Sequence, residues 1–508
     1  MSVTANADHE TKGGPLPLKL KLIHGFGAVA FGVKDGGFSF FLLIFYNQVL
    51  GMDAALVSAA LLIALLVDAV IDPIIGNLSD RTYTRWGRRL PWLYVAPIPL
   101  AVAWVMLWSP PGGEPPSFLG LLGIAIAVRM LLSACEVPSI SLVPEITQDY
   151  DERTTLFRFR FLSGWLGGIL MMVLAYTVFM AGPDGLLQKE GYISYGIFGA
   201  VLMAVSVIGS AAGQHYLVAK LPDKKPPPFS LKAAFSEIFD AFSEKSFLIF
   251  AAGGLAAYVS QGMTFSISNY LNLFVWQLDR PITPTSPDWL TGLVVYPVTL
   301  FLSVVLMFFI VGPLHANFGK ARSAVIGALG SVIIGLFPYV LLLAGFWPTV
   351  GTPASTFGLL FFLLFANCLG VVMMISATSM IAEIVEAFEE RTQRRAEGAF
   401  YSGNWLIQKC ATGAGIFVTG LIISASQLQT DASPGTVPQD VISSIVIYFG
   451  GATIVLAAIA AYWLGSFPIS REEHEDRLRR LAQRKPPAHG PSTSSEGIIA
   501  PDAGSLAP

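Results

Sequence analysis

Charge is what this chain has least of. Of its 508 residues only 13% are Asp, Glu, Lys or Arg, where a soluble protein carries about 25%. Hydrophobic side chains make up 54% and the mean hydropathy is +0.62, which excludes a soluble fold and implies a polytopic membrane protein. Cysteine is scarce as well. Cys135, Cys368 and Cys410 all fall in apolar stretches, and three thiols in lipid-embedded helices speak for packing rather than a disulfide framework. With a net charge of −3 and no basic aromatic patch, nothing suggests a nucleic-acid partner. There is no G-x-x-x-x-G-K-[ST] phosphate loop, no nucleophile–base constellation and no His/Cys metal set, so an enzyme is not expected. The first 23 residues are polar with Pro and Gly, and no cleavable signal peptide is expected.

What is there instead is a succession of apolar runs of spanning length. They read at 24–50, 54–79, 90–109, 118–144, 157–182 and 192–217, then at 246–275, 290–315, 321–347, 354–386, 398–427 and 441–467. A polar stretch, 218–245, divides the two sets of six; it holds Lys220, Lys224, Lys225, the Pro226–Pro228 run and an amphipathic piece around Ala233 to Phe242. The expected organisation is a cytoplasmic segment 1–23, a six-helix bundle 24–217, a cytoplasmic linker 218–245, a second bundle 246–467 and a cytoplasmic tail 468–508. That tail opens with R-E-E-H-E-D-R-L-R-R as a short helix and ends disordered. Basic residues cluster in alternate loops, at Arg81–Arg89, Arg153, Lys220–Lys232, Lys320 with Arg322, Arg391–Arg395 and Arg471–Lys485, whereas the other side offers Lys189 and Arg280. That asymmetry places both termini in the cytoplasm, with the helices in the cytoplasmic (inner) membrane. The expected fold is an all-α membrane protein of twelve transmembrane helices, in the two six-helix halves of major facilitator transporters. G-N-L-S-D-R-T-Y-T-R-W-G-R-R after the second helix is echoed by G-P-L-H-A-N-F-G-K-A-R after the eighth.

The chemistry concentrates between Asp68 and Pro91. Asp68 and Asp72 stand four apart in an apolar run, hence on one helical face about 6 Å apart along the axis. Burying two acids so close costs several kcal/mol unless a cation or proton joins them. Arg81, Arg85, Arg88 and Arg89 then mark the cytoplasmic end. Further charges interrupt other apolar runs: Lys34–Asp35, Arg129, Glu136, Arg160 with Arg158 two residues before it, and Lys409. Lys409 has no carboxylate within a turn, so its partner comes from elsewhere, with Asp35, Asp72 and Glu136 as candidates. Arg129, seven residues before Glu136, suits either an ion pair with an acid of the first helix or a substrate contact. Gly25, Gly27 and Gly32 permit close helix packing.

With Asp68 and Asp72 followed by S-D-R-T-Y-T-R-W-G-R-R-L-P-W, K-D at Lys34–Asp35, E-V-P-S-I-S-L-V-P-E-I-T from Glu136 and the isolated Lys409, the chain resembles the glycoside–pentoside–hexuronide:cation symporters over about 24–467. The resemblance implies a coupling-cation site at Asp68, Asp72, Ser133 and Glu136, taking sodium or a proton, with no other cofactor or metal. It implies substrate contacts from Lys34, Asp35, Glu136, Arg160 and Lys409. Ile71 stands where the family's galactoside carriers have an amide, and three crowded carboxylates favour a proton, so the expectation tips from sodium towards protons. The two tryptophans those carriers set against the sugar are absent, with Ile140 and Met374 in their places; Trp165 and Trp405 are possible substitutes, although packing is the commoner role. Asp80, Arg81, Arg88 and Arg89 are expected to gate the cytoplasmic side and hold the outward-open state, and Glu383 and Glu386 to act as gate or interdomain salt-bridge groups. The implied function is monomeric, alternating-access symport of a sugar or glycoside with a cation. The rival readings are a carrier of lysolipid-like or other amphipathic solutes, which needs a greasier cavity, and an efflux transporter.

Overall fold

The computed structural model describes residues 15–112, 115–147, 149–219, 241–283, 285–392, 396–468 and 480. The expected tail helix, the disordered tail and most of the amphipathic piece before Phe242 lie outside them. Among the described residues, ten helices are long and apolar enough to cross a membrane. We number the spans α1 (Leu18–Val49), α2 (Ala54–Asp80), α3 (90–108), α4 (Phe118–Ile146), α5 (Asp151–Phe179), α6 (Lys189–Val218), α7 (Lys245–Val275), α8 (292–318), α9 (320–343), α10 (Pro353–Thr392), α11 (Glu397–Ala425) and α12 (Gln439–Gly465). Twelve spans arise from ten because α8 and α9 form one helical run that turns at Gly319, and because α3 comes in two pieces, Leu90–Val95 and Pro97–Trp108. Gly319 has φ 75°, a left-handed conformation that a side chain would strain.

Local chemistry fixes the starts. Asp53, Ser117 and Asp149 each accept a hydrogen bond from a backbone N–H three residues on, at 3.0, 3.2 and 2.9 Å, capping α2, α4 and α5. The cap at Asp149 begins α5 ahead of the 157 expected from hydropathy. Similarly, α1 starts at Leu18 instead of 24, because Lys21 is neutralised by Glu152 of α5 at 2.9 Å. Close packing of α1 uses the glycines singled out from the sequence: a Cβ on Gly32 would lie 1.8 Å from the carbonyl oxygen of Gly164, one on Gly25 2.8 Å from that of Phe159, and one on Gly27 2.8 Å from the Ser210 hydroxyl.

Helices α1–α6 and α7–α12 meet tightly at the end opposite the arginine-rich loops. There the Asn269 side chain donates to the Phe40 carbonyl at 2.8 Å and accepts from the Tyr176 hydroxyl at 2.7 Å. Tyr270 donates to Asn47 at 3.1 Å, Gln48 to the Gln429 carbonyl at 3.1 Å, and Ser424 to Asp53 at 3.2 Å. Beneath this seam Phe41, Phe45, Trp108, Tyr192 and Tyr195 stack into a buried aromatic block. The seam closes because α11 is smooth: a Cβ on Gly420 would fall 1.9 Å from the Ser58 hydroxyl oxygen and 2.5 Å from the Ala54 carbonyl of α2. Overpacking such a contact costs about 1–3 kcal/mol, so Gly420→Val should shift the protein roughly tenfold or more towards separation at this end. A cysteine placed at Ala55 and probed with an impermeant maleimide should label correspondingly faster; unchanged labelling would show that the seam is not held by this contact.

Candidate functional site

Midway along the helices, eight ionisable side chains meet: Asp35, Asp68, Asp72 and Glu136 against Lys34, Arg129, Arg160 and Lys409. In so apolar a surrounding each charge needs an opposite one, and the set is balanced four to four. Asp68 is the hub. Its side chain is only 4% exposed. One carboxylate oxygen accepts from the Ser133 hydroxyl at 2.7 Å, and the other from Arg129 Nη1 at 3.2 Å and Lys409 Nζ at 2.8 Å. Lys409 also donates to Asp72 at 2.5 Å, so one ammonium on α11 grips both acids of α2. A second node lies on α1 and α4, where Lys34 sits 2.7 Å from Asp35 and 3.9 Å from Glu136. Arg160 is buried, donates to Ser139 of α4 at 2.6 Å and faces the Phe31 ring at 5.6 Å.

Two backbone devices place these groups. Pro73 follows Asp72 directly and Pro138 stands two residues past Glu136, so both site helices lose a ladder hydrogen bond beside their acids. In α1 a π-helical turn, Gly37–Phe41, begins just beyond Asp35 and sets Phe38 with its ring 4.3 Å from the Arg129 guanidinium.

Several expectations need amending. Of the partners foreseen for Lys409, Asp72 is one; Asp68 is the unforeseen other, while Asp35 and Glu136 pair with Lys34. Arg129 pairs with Asp68 of α2 and not with an acid of α1, where Asp35 is held by Lys34 at 2.7 Å and is 69% exposed. Glu136 belongs to the Lys34 node, so the four expected cation ligands do not share one set of contacts. Nor do the carboxylates crowd unopposed, since Lys409 and Arg129 stand between them. Arg160 points inward and Arg158 is exposed, which resolves that pair. Neither Trp165 nor Trp405 is sealed in the core, at 51% and 40% exposure. Met374 lies 3.7 Å from the Gln261 amide nitrogen.

At the arginine-rich end, Arg89 carries more of the network than Arg88. Its guanidinium, 8% exposed, contacts Asp80, the Ser79 hydroxyl at 2.5 Å and Glu145 at 3.7 Å, whereas Arg88 is 45% exposed and 3.8 Å from Glu145. Arg81 bonds back to Asn77, one turn earlier. Glu383 pairs with Lys320 at 2.9 Å, and Glu386 lies half-buried in the next turn. Each of these pairs stays within α1–α6 or within α7–α12. The expected outward-open lock and the interdomain role of Glu383 are therefore not what this structure displays: the closed seam is at the other end.

Paired charges held mid-membrane between two groups of six helices define a secondary transporter of the major facilitator fold. A solved D-xylose–proton symporter shares that fold, with a TM-score of 0.61 at 14% identity, over 90% of this chain and 98% of that one. The profile of the MFS/sugar transport protein family matches residues 23–471. The chain belongs to that family, the glycoside–pentoside–hexuronide:cation symporters, and is a multi-pass transporter rather than an enzyme. Among its relatives, an uncharacterized symporter of Synechocystis sp. is 27% identical over 92% of this chain and 97% of its own length. A putative glycoside/cation symporter of Escherichia coli K12 is 24% identical over 97% and 99%.

Removing one partner of a buried ion pair costs about 3–5 kcal/mol. Lys409→Ala should therefore lower the melting temperature in detergent, and adding Asp72→Asn should restore part of the loss, since Asp68 keeps Arg129. Strictly additive effects would mean that Lys409 and Asp72 are not coupled. At the other cluster, Arg89→Ala should destabilise more than Arg88→Ala in the same melting assay, and equal losses would contradict the burial difference.

Proposed function

We propose that the protein carries a sugar or glycoside together with a cation, in one direction, by alternating access. One observation carries the reading. Lys409 of α11 occupies both acids of α2, so a ligand cation and the Lys409 ammonium compete for the same oxygens. While Lys409 holds the acids, the two groups of helices are tied at mid-depth. When a cation neutralises the acid pair, Lys409 is released and the groups are free to rock.

The sugar side of the reading rests on the second node. Asp35 offers an exposed carboxylate for hydroxyl donors, and Lys34 and Arg160 offer ammonium and guanidinium donors to ring and hydroxyl oxygens. Glu136 and Ser133, three residues apart on α4, connect this node to the acid pair. Cation binding that moves Lys409 therefore alters the electrostatics felt by the sugar groups, which is a direct source of coupling. With the arginine-rich loops and both termini in the cytoplasm, the closed seam faces outward. The arrangement is then that of an inward-facing carrier in which Lys409 stands in for the departed cation. We take the carrier to work as a monomer in the cytoplasmic membrane.

Asp72→Asn should abolish gradient-driven accumulation of a radiolabelled glycoside in proteoliposomes while leaving equilibrium exchange largely intact, because binding survives when coupling is lost. Full accumulation in this variant would remove Asp72 from the coupling site. No member of a broad glycoside panel moving under either a sodium or a proton gradient would overturn the symport reading itself.

A further inference from the structure

We infer that Arg129 determines which ion this symporter accepts: its guanidinium takes the place beside Asp68 that a sodium ion would need, and so excludes sodium from the acid pair. This rests on the symport reading above and narrows it. A hard cation of this kind takes about six oxygen ligands in its first shell. The α2 acids would supply most of them, yet both Asp68 oxygens are already engaged, one by the Ser133 hydroxyl and the other by Arg129 and Lys409. Ile71 contributes no oxygen, and Glu136 is engaged by Lys34.

Lys409 can leave, but Arg129 cannot. Lys409 comes from α11, on the far side of the seam between α1–α6 and α7–α12, and rocking separates it from α2. Arg129 and Asp68 lie on α4 and α2 within the same six-helix group, so they travel together. The guanidinium is 6% exposed, is roofed by the Phe38 ring at 4.3 Å and never loses its charge. Throughout the cycle, then, a fixed positive charge lies 3.2 Å from the carboxylate oxygen a sodium ion would bind. What stays available is Asp72, whose Oδ1 is buried with no hydrogen-bond partner among the described residues. Once Lys409 leaves, Asp72 offers its two carboxylate oxygens, enough for a proton and too few for a sodium shell while Arg129 stays on Asp68. Sequence spacing alone places Arg129 near Glu136; only the packing of α4 on α2 puts it against Asp68.

The test uses the purified full-length protein and sodium alone as the probe. Binding of radioactive sodium is measured by scintillation proximity, and thermal stabilisation is measured in sodium chloride against choline chloride at equal ionic strength. The wild type should show no saturable sodium binding and no sodium-specific stabilisation. Arg129→Gln, which removes the charge and adds an oxygen, should gain the saturable binding that the wild type lacks, and Arg129→Lys should stay at the wild-type background. Saturable sodium binding by the wild type, abolished by Asp72→Asn, overturns the inference without touching symport, as does a folded Arg129→Gln protein that still binds none. If Arg129→Gln fails to fold, the wild-type and Arg129→Lys measurements decide. Absence of glycoside uptake under every gradient would instead strike the symport reading.

Discussion

Eight ionisable side chains sit in the middle of a protein that is 54% hydrophobic, and the low dielectric obliges them to find one another. The rest of the structure follows from how they are paired. Asp68 collects a hydroxyl, a guanidinium and an ammonium; Asp72 shares the ammonium; Lys34 joins Asp35 to Glu136. None of these groups could be buried by itself without a penalty of several kcal/mol. The cluster is thus stable only as a set, and a change at one member is felt by its neighbours. That is the physical requirement for a site where one solute must sense another.

The helices are adapted to this constraint in opposite ways at different depths. Beside the charges, prolines and a π-helical turn loosen the backbone ladder and re-aim side chains, at Pro73, Pro138 and Gly37–Phe41. Away from the charges, at the closed seam, small residues let backbones touch: Gly420 against Ala54 and Ser58 leaves no space for a side chain. Close contact at the seam and irregular backbone at the site suit the proposed rocking, in which the two six-helix groups would move as bodies while the charged groups between them exchange partners.

Much of this was legible in the sequence, and what was not has a common cause. Hydropathy found the twelve spans, since lipid demands long apolar helices, and the i, i+4 spacing put Asp68 and Asp72 on one face. Single-helix periodicity could also nominate Arg129, Arg160 and Lys409 as charges in the wrong solvent. It could not say which acid each would meet, because that depends on how helices distant in sequence are rotated against one another. So the candidates for Lys409 include Asp72 but omit Asp68, neither reading open for Arg129 includes its pairing with α2, and the interdomain alternative for Glu383 misses Lys320 on its own side. Helix starts drifted for a simpler reason: Lys21 and Glu152 look like loop residues until their pairing is seen.

Arg129 and Lys409 hold the same carboxylate, yet they cannot play the same part. Coupling free energy can come only from interactions that differ between the states being interconverted. The Arg129–Asp68 pair lies inside one six-helix group, so a relative movement of the groups would leave it intact; on the inference above it would bias the choice of ion without driving the transition. The Lys409 contacts with Asp68 and Asp72 cross the seam and exist only when the two groups are brought together at this depth. On the proposed mechanism, their breakage is what a bound cation would bring about. A site with a fixed positive charge and a removable one can therefore keep Asp68 compensated through the whole cycle, while the exchange of Lys409 for a cation at Asp72 reports whether the carrier is loaded.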